Sequence, residues 1–413
     1  MHIRKTRCII GLFVQVQARD PGIFGKDSAK ISHDVQGDHY MKTLKEFFRK
    51  ETVFCVSFLL ALISAAAVRP DRAYLTYPDY RTLALLFCFM IIVAGFQWLG
   101  IFSLLGETLL KKASSLRNLS VLMVLLCFFS SMIITNDVTL ITFVPFTILV
   151  YQMVGREDRI LRIVVLETIA ANLGSMATPI GNPQNLYLYS MSGVTLGEFA
   201  QAVWPYAGLS LILLVCILFT EKNEALKSIA VKGQKEVQIG KNLFQLLAFA
   251  ALLLLCLLVV FRVFPYIPVL ICVAAAVLTV NRRLFGKVDY FLLLTFLCFF
   301  IFIGNMKRIP EISNTLASLV QGKELWAGIL TSQIISNVPA AILLSGFAGN
   351  FSLLLTAVNL GGLGTLVASL ASLISFKFYT VEYPRRKGRF MAVFTVWNLV
   401  FLGILICEAL ILT

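Results

Sequence analysis

Histidine is nearly missing from this chain. Its three copies, His2, His33 and His39, all precede the first long apolar run. A histidine-based proton relay or metal centre farther along is therefore excluded. Cysteine offers little more: nine copies stand singly in apolar segments, with no CxxC pair. They read as small core residues, not as a metal site or a disulfide framework. Charge is scarce as well. Charged residues make up 14% of the 413 and hydrophobic ones 58%, with a mean hydropathy of +0.85. No soluble fold tolerates that balance. Alternation of apolar and polar residues is also lacking, which excludes a membrane β-barrel.

What is present is a series of continuous apolar runs, several near the roughly 20 residues that cross a bilayer. Backbone in lipid must satisfy its own hydrogen bonds, so such runs are helices. The class is all-α, polytopic and membrane-embedded. The net charge of +14 resides in short loops between the runs. That is a topology signal and not a nucleic-acid footprint.

Residues 1–40 are polar and mixed, without the pattern of a signal peptide. Met41 opens a lysine-rich lead-in to the first run, so 1–40 is expected to be a disordered or mis-assigned extension. Full spans are expected at about 52–68, 82–99, 160–190, 199–220, 243–262, 265–281, 289–306, 352–378 and 390–411. Stretches 119–152 and 325–349 each carry a polar turn at the middle. Each half is short, so they read as re-entrant hairpins. Segments 100–117 and 309–323 are amphipathic and expected at the interface. With the N-terminus inside, this layout places 29 Lys/Arg on the cytoplasmic side and 7 outside. Without residues 1–50 the balance is still 19 to 7. The bias supports nine crossings, N-terminus cytoplasmic and C-terminus outside.

Three blocks recur in order: 87–95 with 296–304, 131–136 with 332–337, and 172–178 with 359–365. Their offsets are 209, 201 and 187. The expected organisation is a first repeat, 41–242, with hairpin 119–152 and broken helix 160–190. A linking span, 243–262, follows. The second repeat, 263–413, has hairpin 325–349 and broken helix 352–378. Five crossings separate the starts of the copies, so they are inverted. Inverted repeats with interrupted helices in matching places point to a transporter's midplane site.

The chemistry is expected at those interruptions. In Thr135-Asn136-Asp137, Asn at a break accepts from free N–H groups of the next helix. The positive end of that helix attracts an anion, and the carbonyls ending the preceding half attract a cation. Ser336-Asn337-Val338 has the same form. Thr178-Pro-Ile-Gly181-Asn182-Pro183-Gln184-Asn185 breaks a helix and restarts it, with Pro183 suited to the first position. Its counterpart runs through Asn359, Gly361, Gly362, Thr365, Ser369 and Ser372. Asp137 is the one acid at a hairpin tip, a carrier for Na+ or a proton. Na+ is expected at Asn136, Asp137 and Asn182, and at Asn337 and Gly362. Glu107 and Glu167 are weaker candidates; Glu107 suits a solvated interface helix and Glu167 could face the cavity. No Lys or Arg falls in the turns.

Thr135-Asn-Asp-Val-Thr-Leu-Ile-Thr-Phe-Val-Pro-Phe146, Ala177-Thr-Pro-Ile-Gly-Asn-Pro-Gln-Asn185 and Ser336-Asn-Val-Pro-Ala340 resemble the ion-transporter superfamily. That group includes citrate and dicarboxylate symporters, arsenite permeases and NhaD-type Na+/H+ antiporters. The likeness is strongest to YbiR-type bacterial inner-membrane permeases and covers about 45–411. It implies two inverted repeats, each with a re-entrant hairpin and an unwound helix, a homodimer, and elevator-type alternating access. The dicarboxylate branch carries Ser-Asn-Thr at both tips; here both asparagines remain and the final Thr is absent twice. The expected function is import of a small carboxylate or oxyanion across the inner membrane, coupled to Na+ or H+, with no other cofactor. Na+/H+ antiport and arsenite-type efflux are the alternatives. An enzyme would need convergent catalytic groups, and none is seen.

Overall fold

Capping residues set where the helices begin. In the computed structural model, which describes residues 51–102, 104, 108, 113–225 and 239–412, sixteen α-helices form and no strand does. The extension 1–40, Met41 and Glu107 lie outside the described residues. The helices are α1 Thr52–Ala67, α2 Tyr80–Trp98, α3 Leu116–Ile134, α4 Asn136–Met153, α5 Glu157–Ser175, α6 Pro183–Ser192, α7 Leu196–Phe219 and α8 Ile239–Val260. They continue as α9 Tyr266–Asn281, α10 Tyr290–Lys307, α11 Pro310–Val320, α12 Glu324–Ile335, α13 Asn337–Ser345, α14 Phe351–Leu360, α15 Leu370–Glu382 and α16 Lys387–Leu412. Everything discussed below lies in one unit, Val53–Thr413.

Among the described residues, seven helices are long and apolar enough to cross a membrane: α2, α3, α7, α8, α9, α10 and α16. Each of the nine expected spans contains a helix or, in two cases, a helix pair. The pairs are α5 with α6 and α14 with α15, interrupted at 176–182 and 361–369. One expectation needs correcting. The first hairpin's arms are 19 and 18 residues long, so α3 alone could cross. The second hairpin's arms, 12 and 9 residues, are short as expected.

The copies match at the level of single caps. Asp79 accepts from the Thr82 N–H to start α2, and Asp289 from the Leu292 N–H to start α10. The Tyr80 hydroxyl donates to the Leu75 carbonyl at 2.9 Å; the Tyr290 hydroxyl donates to the Phe285 carbonyl at 3.0 Å. Asp71 and Asn281 cap the short 3-10 turns before them, accepting from Ala73 and Arg283. All three pairs are offset by 210, one more than the 209 of the first apolar block. Apolar residues along a lipid-facing helix carry little register information, whereas a cap fixes it.

Contacts between loops agree with the charge count. Arg308 donates to Asp71 at 2.8 Å and to the Tyr77 hydroxyl at 3.1 Å, joining two segments assigned outside. Arg156 pairs with Glu224, and Arg159 and Arg162 with Glu221, joining two segments assigned inside. Gln152 donates to Glu382 and to the Tyr383 hydroxyl, both at 3.0 Å, tying in a third inside segment.

Candidate functional site

The two hairpin tips share one unusual backbone. Thr135 has φ 73° and ψ 152°, and Ser336 has φ 74° and ψ 154°. Side chains other than hydrogen rarely occupy that region, at a cost of ~1–3 kcal/mol each. Neighbouring structure holds both turns in place. The Asn136 N–H donates to the Gly181 carbonyl at 3.2 Å, and the Ser336 hydroxyl donates to the Ala368 carbonyl at 3.3 Å. Thr178 donates to the Met132 carbonyl at 2.5 Å, and Thr365 to the Gln333 carbonyl at 3.3 Å. Each hairpin is thus tied to the broken helix of its own repeat.

Close packing allows this. α3 lies along α5 and α12 along α14. Gly174 and Gly361 stand at matching places. A methyl on Gly174 would overlap the Phe128 carbonyl; on Gly361 it would come 2.6 Å from the Ser332 hydroxyl.

The repeats are joined by a crossed set of buried amides and hydroxyls. Asn172 accepts from Ser369 at 3.0 Å and donates to Ser372 at 3.3 Å. Asn359 accepts from Asn182 at 3.0 Å and donates to Asn185 at 2.6 Å. Asn172, Asn182 and Asn185 become Asn359, Ser369 and Ser372 under the single offset of 187. Contact of one element with the image of its partner, and the converse, is the pattern of a twofold relation. Packing of α4 on α15 and of α13 on α6 repeats it. The interrupted helices therefore meet each other, and both tips meet them.

A cleft opens between the tips. It is lined by Asn136, Asp137, Pro183, Gln184, Leu292, Asn337, Val338, Ser369 and Leu370. The first turns of four helices, α4, α6, α13 and α15, converge there. The positive ends of these helices favour a negative group. Asp137, half-buried, is the only ionisable residue in the lining, and no Lys, Arg or His is there to balance it.

The expected site residues separate into two sets. Asn136, Asp137, Pro183, Asn337 and Ser369 face the cleft. Thr178, Asn182, Asn185, Asn359, Thr365 and Ser372 build the framework just described. The Asn182 side-chain oxygen caps α6, accepting from the Asn185 N–H at 2.9 Å. Gly362 lets the Asn337 amide approach: a Cβ there would sit 2.8 Å from its nitrogen. The tips are unequal. Asn136 donates to Asn172 at 3.1 Å, while the Asn337 amide nitrogen has no hydrogen-bond partner among the described residues. Sequence reasoning passed over Gln333, which donates to the Gly361 and Leu363 carbonyls, both at 2.9 Å, and accepts from the Thr365 N–H. A glutamine in an otherwise apolar arm, inside a repeated block, was the available signal. Glu167 does not face the cleft; it is fully buried behind it.

A profile of the CitMHS citrate transporter family matches residues 49–353. The chain belongs to that family. Among similar proteins, the uncharacterized transporter MJ0456 of Methanocaldococcus jannaschii is 32% identical over 335 residues, covering 80% of this chain and 89% of the relative. The inner membrane protein YbiR of Escherichia coli is 33% identical over 305 residues, covering 72% and 80%. The human P protein is 30% identical over 169 residues, 38% of this chain and 20% of its own length. This CitMHS member is therefore a multi-pass membrane transporter, and the cleft between its hairpin tips is its candidate substrate site.

Proposed function

We propose that this protein is a secondary active transporter of a small anion, a carboxylate or oxyanion, coupled to Na+ or H+ across the inner membrane. The observation that carries this reading is the convergence of four helix N-termini on a cleft whose one ionisable residue is Asp137. Helix ends and the Asn337 and Gln184 amides offer donors to the anion. Asp137 calls for a cation: Na+ held with the Asn136 oxygen, or a proton. Asn337 and the backbone at Gly362 form the second cation position, while Asn182 would help only by orienting α6. The chain works as a homodimer, N-terminus inside and C-terminus outside, with hairpins and broken helices moving together against the remaining helices.

A second reading, cation/proton antiport through Asp137, is favoured by the lack of any basic residue in the cleft. Purified protein in liposomes on a solid-supported membrane separates the two. The anion reading expects currents that need both the cation gradient and an added carboxylate or oxyanion. Currents with Na+ and pH gradients alone, unaltered by any anion, would discard it in favour of antiport.

A further inference from the structure

Behind the first hairpin tip lies a second polar feature that the cleft does not use. Asn136, Thr139, Thr147 and Tyr151 share one face of α4, and all four are buried. Thr147 donates to Oε1 of Glu167 on α5. Oε2 of Glu167 and the Thr139 hydroxyl have no hydrogen-bond partner among the described residues. One turn beyond Thr147, the Tyr151 hydroxyl is 2.7 Å from that of Ser120 on α3. That end of α4 leads to the start of α5, where Arg159 and Arg162 pair with buried Glu221.

Glu167 is fully buried, and no cation among the described residues faces it. The titratable groups beside it are Cys127 from α3 and Tyr151 from α4. The other helices packed on α5, namely α7, α14, α15 and α16, bring it no charged side chain. A buried carboxylate without a counter-ion costs several kcal/mol, and the same is true within a membrane. The repeat tells whether the fold needs an acid there. At the matching positions the second copy has Ala340 for Thr139 and Leu354 for Glu167, as it has Val338 for Asp137. The second copy builds the same tie between hairpin and broken helix without these polar groups. They are a property of the first copy alone, and packing does not account for them.

We propose that Glu167 is a site for a transported proton, carried one layer behind the cleft and separate from the cation position at Asp137. The proton adds to Oε2, while Oε1 keeps the Thr147 hydroxyl. It comes from water at the Arg156–Arg162 end, past Tyr151 and Ser120, and is returned to water when the hairpin and broken helix shift. This inference rests on the transporter reading above and adds a proton site to it.

Two measurements on the full chain in liposomes test it. In the first, radiolabelled citrate is the probe, with uptake driven by an imposed pH gradient and with citrate counterflow at equal pH on both sides. The expected result is that Glu167→Gln loses at least ten-fold of gradient-driven uptake and that its counterflow no longer varies with pH. Glu167→Asp restores part of both. Wild-type pH dependence in Glu167→Gln would overturn the proposal. The second measurement is infrared difference spectroscopy without any substrate. A protonated-carboxyl band that shifts in heavy water and vanishes in Glu167→Gln is expected. A spectrum in which the variant keeps that band, or in which the wild-type band does not respond to heavy water, would also overturn it. If wild type moves no citrate in either mode, the choice of anion fails; the infrared result still decides whether Glu167 holds an exchangeable proton.

Discussion

The two halves of this transporter share a backbone and divide the chemistry. Thr135 and Ser336 take the same strained conformation, and the glycine-to-hairpin contacts at Gly174 and Gly361 correspond. So do the carbonyls bound by Thr178 and Thr365. Side chains then diverge at the places that matter. Asp137, Thr139 and Glu167 in the first half correspond to Val338, Ala340 and Leu354 in the second. The first tip is bonded into the amide network through Asn172, whereas the second leaves its amide open to the cleft. A duplicated scaffold can keep its architecture while only one copy bears ionisable groups at its tip and behind it, because backbone caps and close glycine contacts do the holding. The lesson is that geometry here is symmetric and electrostatics is not.

The strongest way to break that comparison is to exchange the tips. Asp137→Asn is expected to weaken apparent cation affinity by on the order of 10- to 100-fold, the loss of a charged-group contact of ~1.5–3 kcal/mol. Val338→Asp should not restore it. Cation titrations of transport current would read both, and rescue by Val338→Asp would show that the tips are interchangeable. Next comes the framework. Asn359→Ala strips partners from both Asn182 and Asn185, so a stability loss of about 1–3 kcal/mol is expected. Asn172→Ala should lose a similar amount because its bonds are the mirror set. Denaturation in detergent of the two single variants and the double variant tests whether the halves respond alike; equal and non-additive losses support one crossed network.

Packing gives a graded contrast. Gly174→Ala drives a methyl into the Phe128 carbonyl, and overpacking of this kind costs about 1–3 kcal/mol. Gly361→Ala meets the Ser332 side chain at 2.6 Å, a shallower overlap than the 2.2 Å at the Phe128 carbonyl, so its melting temperature should fall less. A larger fall for Gly361→Ala would contradict the geometry. Gly at the tips should act in the opposite direction. Thr135→Gly and Ser336→Gly relieve strain of ~1–3 kcal/mol, partly offset by the ~0.5–1 kcal/mol entropy cost of glycine. Slightly raised melting temperatures in both are expected.

The smallest effect concerns Asp71, whose counterpart is Asn281. The hydrogen bond from Arg308 holds the Asp71 carboxyl below its usual range. A depressed folded-state value stabilises above the unfolded value and is lost as pH falls through the folded one. Asp71→Asn should keep the cap, as Asn281 does, and remove that acid sensitivity from thermal unfolding curves below neutral pH.

The apolar runs, the loop charges, the two Asn-bearing turns and the order of the repeated blocks were legible in the linear sequence. Length against bilayer thickness and charge against topology are one-dimensional constraints, so a sequence alone determines them. Register was not legible: the true offset of 210 at Asp79 and Asp289 became evident only from caps, since apolar residues are interchangeable against lipid. Nor could sequence say which polar residues face the cleft. Asn182 and Asn185 read as ligands because their chemistry allows it, yet their amides are consumed by Asn359 and by the start of α6. Asn337 stays open because Gly362 lets it approach and no partner takes its amide. A neutral amide serves equally well as framework or as ligand. Which it becomes depends on what lies within hydrogen-bond reach, and partners 170 to 200 residues apart in sequence are brought there only by the fold.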